Sequence, residues 1–172
     1  MIRRLLLAAA AVTAMASVAH AQPMPAPDSH TGEFITKAAT SDEFERREGR
    51  LAEERAAAPM VRDFAQHMVV AHTQTTEGLK AAIREAGMTP PPPPALTDDQ
   101  LKMIADLQSR HGGNFDRAYM DQQVHAHEMA LQLMQGYAAA GHPGPIRDAA
   151  AKTAPLVQQH LDMARKVRGQ VS

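Results

Sequence analysis

Five consecutive prolines, Pro90 to Pro94, constrain this chain more than any other stretch. They offer no backbone N–H and hold φ fixed, so no helix runs through them. An extended polyproline spacer, rising roughly 3.1 Å per residue, is the conformation left. On both sides of it the sequence is helix-forming. Alanine, leucine, methionine, glutamate, glutamine and arginine dominate, and no segment alternates with period two. The chain is therefore all-helical, with its longest break in the middle.

Before the spacer, Thr40-Ser41-Asp42-Glu43 has capping-box spacing and predicts the start of a long helix over about Asp42–Ala57, behind a short helical piece at Phe34–Ala39. Pro59, at a favourable first-turn position, predicts a second helix to about Ala86, stopped by Gly87. The join is so short that the two must form an antiparallel hairpin. The inner stripe of the second helix is Val61, Phe64, Ala65, Met68, His72, Thr75, Leu79, Ala82 and Ile83.

After the spacer, Thr97-Asp98-Asp99-Gln100 is a second capping box and opens a short helix ended by His111-Gly112-Gly113. Asn114 is positioned to cap a long helix to Ala140, with Met120, Val124, His127, Leu131, Met134 and Ala138 on one stripe. Gly141 to Pro145 turn the chain into a last helix, about Ile146–Val167. Its stripe is Thr153, Leu156, Val157, His160, Met163, Ala164 and Val167, and Pro155 should kink it. Hairpin, long crossover, hairpin describes a four-helix bundle of the ferritin-like arrangement.

The beginning of the chain has the three parts of a secretory signal peptide. Arg3 and Arg4 are followed by a short apolar run and by Ala19-His20-Ala21, which predicts cleavage after Ala21. Residues 22–30 are proline-rich and polar and read as a disordered tether, leaving 31–172 as the bundle domain. A net charge of −1, 3% aromatic residues and no basic run argue against nucleic acid and anionic membrane surfaces. Without cysteine there is no disulfide, thiolate or lipid-attachment chemistry.

Three histidines, His72, His127 and His160, are central on apolar stripes of three different helices; the others fall in loops or off the stripes. Helix geometry sharpens this. Glu45 lies 13 residues before Ala58 and His72 lies 14 after it; His127 lies 16 before Pro143 and His160 lies 17 after it. Each pair is level to within about 1.5 Å of rise. Three imidazoles and a carboxylate at one depth suit a divalent transition ion such as zinc, iron, copper or manganese. Glu48 and Glu128 are alternative carboxylates, the second as an outer partner of His127. Binding would weaken below about pH 6 as free imidazoles protonate. The competing reading is a polar core that binds nothing, each histidine bonded to Thr75, Tyr119, Gln123 or Thr153.

No E-x-x-H occurs, so the di-iron carboxylate motif is missing, and there is no H-E-x-x-H, phosphate-binding glycine loop or G-x-S-x-G. No catalytic residue is assigned. Met68, Met134 and Met163 are soft donors in principle, but methionine on a helix stripe is core filling.

The pieces VRDFAQHMVVAHTQTTEGLKAA, NFDRAYMDQQVHAHEMALQLM and APLVQQHLDMARKV resemble an exported bacterial, ferritin-like family catalogued as domain of unknown function 4142, over roughly Glu33 to Val167. The resemblance implies an envelope location and a ferritin-like bundle, and no established activity. The family's motif histidines correspond to His72, His127 and His160, and its early glutamate to Glu45. Members usually carry aspartate just before the first of these histidines; this chain has Ala71. Three functions follow as expectations: periplasmic metal binding for sequestration or envelope stress tolerance; a metal-free structural or interaction module presenting its outer faces or Pro90–Pro94 to an envelope partner; and, last, an oxidase.

Overall fold

A computed structural model describes residues 28–171, so the leader at 1–21 and most of the tether lie outside the described residues. Five helices follow in order: α1 (Ser29–Arg55), α2 (Pro59–Glu85), α3 (Asp98–Ser109), α4 (Gly112–Ala140) and α5 (Pro145–Arg168); the described residues contain no strand. α1 packs on α2 and α4 on α5, and the two pairs meet through α2 with α5 and α1 with α4. Among the described residues no helix is long and apolar enough to cross a membrane.

α1 is one continuous helix, which corrects the broken start read from the sequence. Its cap is Asp28, whose carboxylate accepts from the Thr31 backbone N–H at 2.9 Å and from the Thr31 hydroxyl at 2.8 Å. The helix thus begins inside the segment read as tether. Thr40 and Asp42 do not cap; both are buried in the middle of the helix, with Asp42 turned toward α2. The spacing of a capping box was present, but those side chains face neighbouring helices.

The α1–α2 turn is held from a distance. Asp116, buried on α4, accepts from the Ala57 and Ala58 backbone N–H groups at 2.9 and 2.7 Å. The cap residue Ala58 has no side chain to do this itself, so α2 borrows a carboxylate from another helix. Gly87, at φ 73°, ends α2, and the Met88 N–H closes back on the Ile83 carbonyl at 3.0 Å. Pro91 to Pro94 then lie along a crevice against Ile35 and Ala39 of α1 and Leu79 and Ile83 of α2. The spacer is laid back on the first hairpin.

Thr97 and Gln100 make both bonds of the capping box that starts α3, at 3.2 and 3.0 Å. α3 ends at Ser109, and α4 starts at Gly112 with His111 as its cap residue. Asn114 is therefore inside α4, where its side-chain oxygen accepts from Arg117 at 2.7 Å; the cap assigned to it is corrected. Gly112 has φ 57°, a conformation that lets the helix begin three residues early. α5 continues through Pro155, which is exposed, as is Ala151, whose carbonyl the proline cannot bond. Leu156 is exposed as well; Val157 and Ala164 of the expected stripe are buried, and Leu161 joins them.

The core has two apolar ends. One contains Phe34, Ile35, Ile83, Met134, Tyr137 and Ile146; the other contains Val61, Phe64, Met68, Leu107, Phe115 and Met120. Each long helix crosses from one end to the other. α1 and α5 run from the first end to the second, and α2 and α4 run back. Midway along every one of them the buried residues turn polar: Asp42, Glu45 and Glu48 on α1, His72 on α2, Gln123 and His127 on α4, and His160 on α5.

Candidate metal centre

The polar belt is assembled by helical phase. Glu45 and Glu48 are three residues apart on α1, as are Asp42 and Glu45, so all three share its inward face. Gln123 and His127 stand one turn apart on α4 and do the same.

His72, His127 and His160 come together. Their ring centroids are 5.5, 5.7 and 5.6 Å apart, a nearly equilateral triangle with one corner on each of α2, α4 and α5. One ring nitrogen from each lies within 4.8 Å of the other two. His127 is fully buried, His72 is 3% exposed and His160 8%.

Two of the three tautomers are fixed by what the rings touch. His72 donates from Nδ1 to the Asp42 carboxylate at 2.9 Å, and Asp42 also accepts from the Thr75 and Thr76 hydroxyls at 3.0 Å. His127 donates from Nδ1 to the Gln123 backbone carbonyl at 2.8 Å. In a neutral ring each therefore carries its lone pair on Nε2. Neither Nε2 has a partner, and neither does the buried Nδ1 of His160. Buried nitrogens left unbonded cost about 1–3 kcal/mol each, which is why native cores rarely hold them. Here three of them belong to the three histidines of one triangle, residues whose nitrogens could hold a metal ion.

Burial, the strongest influence on all three, disfavours their charged forms. It pulls His127 below its usual range against the opposing charge of Glu45. It brings His160 down to about 3, helped by the neighbouring His72, His127 and His67. For His72 the Asp42 bond and the charges of Glu45 and Asp42 outweigh burial, and its value rises. Two of the three imidazoles are held neutral, and the third is made a better base by its carboxylate.

Glu45 is 1% exposed and lies beside the triangle, outside the converged nitrogens. Its Oε2 accepts from the Gln123 side-chain amide at 2.6 Å, which also reaches Glu48 at 3.1 Å. Its Oε1 has no hydrogen-bond partner and is 3.8 Å from Nδ1 of His127. Glu48, fully buried, is pushed well above the carboxylate range by burial and then by the charge of Glu45. Glu128 points outward and accepts from Arg165 at 2.8 Å, so it is no partner of His127. Met68 and Met134 belong to opposite apolar ends.

Of the partners named for a metal-free core, Gln123 does bond His127, through its backbone carbonyl; Thr75 donates to Asp42 instead, and Tyr119 Oη is unbonded. The residue that sequence reasoning missed is Asp42, read as part of a cap. Its spacing of three from Glu45 was the available signal. It supplies the carboxylate that Ala71, just before His72, does not.

Bundle and triangle together define an all-helical protein with a histidine-rich layer in its core. Over residues 14–167 the chain matches the family described as Domain of unknown function (DUF4142), and it belongs to that family. No curated protein and no solved structure matches it.

Proposed function

We propose that this protein binds a divalent transition-metal ion between His72, His127 and His160, with the unpartnered Oε1 of Glu45 as the neighbouring carboxylate. The observation that carries this reading is a triangle of three histidines, one from each of three helices, each with a buried ring nitrogen that has no hydrogen bond. An ion bonded at about 2.0–2.1 Å in tetrahedral geometry keeps its ligands roughly 3.3 Å apart, and small rotations of the imidazoles cover the difference. Asp42 behind His72 is the carboxylate–histidine arrangement that orients a metal ligand and raises its basicity. The negative charges of Asp42 and Glu45 offset that of the ion. Zinc, iron, copper and manganese all accept such donors.

The ferritin-like four-helix arrangement is part of the same proposal. It is supported by the parallel course of α2 and α4, which a crossover spanning the bundle produces. With a leader cleaved after Ala21, the bundle works in the periplasm, in metal sequestration or envelope stress tolerance. A second reading, an interaction module, draws support from Leu101 and Met129, 48% and 54% exposed.

Elemental analysis after loading with each of the four metals and removal of unbound ion tests the proposal. The wild-type chain retains bound ion and melts higher, by the equivalent of about 2.7 kcal/mol at a free-ion concentration a hundred times Kd. The His72→Ala, His127→Ala, His160→Ala triple variant loses both, and single His160→Ala serves where the triple variant does not fold. Unchanged stoichiometry and melting temperature in the variant overturn it.

A further inference from the structure

His160 belongs to two places at once. One of its ring nitrogens converges with those of His72 and His127, and the residue also lines an open groove between α2 and α5. The groove encloses about 500 Å³ and is bordered by small residues, among them Ala71, Gly78 and Ala149. A water molecule occupies about 30 Å³ of liquid, so a divalent ion with its six waters takes up roughly 180 Å³ and fits. Gln74 and Thr153 line the groove with uncharged polar groups able to replace that water.

His67 stands on the same groove. Its side chain is exposed, five residues before His72 on α2, and its ring lies edge-on to His160 with centroids 5.6 Å apart. That spacing equals the sides of the triangle itself. The four imidazoles thus form a path: one in solvent, one shared by groove and core, two in the core. His72 and His127 are the less exposed of the three, and His160 is the member placed to receive an ion from outside.

We infer that the α2–α5 groove is the route by which a divalent metal ion reaches the core, with His67 as a capture ligand that passes the ion to His160. This rests on the metal-binding reading above and adds to it a residue and a direction. An ion held on His67 is presented to His160 at an effective concentration on the order of millimolar, far above that of a trace ion in solution. His67 therefore governs the rate of loading and not the final affinity.

Stopped-flow loading of the full processed chain with cobalt(II), followed by absorbance, separates the two claims. His67→Ala slows loading by roughly tenfold while the final stoichiometry and Kd stay those of the wild type. His125→Ala, which removes an exposed histidine from α4 away from this groove, loads at the wild-type rate. Equal loading rates for His67→Ala and wild type overturn the route. So does equal slowing by His125→Ala, which makes capture a general surface effect. Loss of the final site in His67→Ala also overturns it, because His67 would then be a ligand and not a relay. A wild-type chain that takes up no cobalt, zinc, iron, copper or manganese removes the metal-binding reading and the route with it.

Discussion

The two apolar ends of the bundle and the polar belt between them are built to different standards. At one end, Val61, Met68, Leu107, Phe115 and Met120 are fully buried and need only volume and shape from their neighbours. In the belt, Glu45, Glu48, Gln123, His72, His127 and His160 each keep at least one buried atom without a hydrogen bond. An end that loses a side chain loses packing. The belt keeps buried donors and acceptors that packing alone does not require, and these are what the proposed ion would use. On the proposed reading, the ends serve folding and the middle serves the ion.

The sharpest test of that division sets one buried ring from each region side by side. Phe115→Ala should destabilise the fold by about 3–5 kcal/mol in urea unfolding, with or without metal. His127→Leu, equally buried, should change the stability of the metal-free chain by less than about 1.5 kcal/mol and abolish the rise in melting temperature on loading. A His127→Leu loss as large as that of Phe115→Ala would show that the belt is structural after all.

Asp42→Asn comes next in size. Asparagine keeps an acceptor for Thr75 and Thr76 but removes the charge behind His72. Metal affinity should fall about 10–100-fold by competition titration, with little change in unfolding of the metal-free chain. An equal loss of both would place Asp42 among structural residues.

Acid should expose the same contrast more gently. His160 in the fold titrates near 3, against an ordinary value of 6.5, and His127 is lowered as well. Between pH 6.5 and 3 the unfolded chain therefore binds more protons, and the metal-free fold loses stability as pH falls through that window. His72 is raised, so its contribution is complete below 6.5 and adds no slope there. Urea midpoints from pH 7 to 4 should drop more steeply for the wild type than for His160→Leu; parallel curves would remove His160 as the cause.

The smallest effect belongs to Glu48. Its raised value means that the neutral form suits the fold and that stability falls as pH rises above the ordinary 4.5. Glu48→Gln resembles that neutral form, so it should cost little near pH 5 and should flatten the decline on the alkaline side. A large loss at pH 5 would show that the fold needs the carboxylate charged.

Much of this was readable because helices carry their own ruler. A stripe gives a face, a proline or glycine gives an end, and counting from a turn gives a depth; those three operations found His72, His127 and His160 from the chain alone. The same ruler failed where a side chain answers to a partner far away in sequence. Asp42 sits in a run with capping-box spacing, and only the position of α2 decides that it turns inward. Asp116 looks like one more polar residue on α4 until the α1–α2 turn is placed beside it. Glu45 was correctly set at the level of the histidines, yet depth does not fix direction, and Gln123 holds it alongside the triangle. Leu156, placed on the stripe, is exposed and Leu161, left off it, is buried, because a stripe drawn from residue types does not specify the rotation of α5.

The hold of Asp116 on the Ala57 and Ala58 amides crosses the divide between the halves of the chain. The carboxylate that holds the first hairpin's bend in the folded chain belongs to α4, which is synthesised later. At the opposite pole the Thr31 hydroxyl and Tyr137 phenol, 2.8 Å apart, fasten α1 to α4 again. Cutting the backbone within residues 88–96 should therefore yield two fragments that remain associated and melt together, whereas either fragment made alone should lack a cooperative transition.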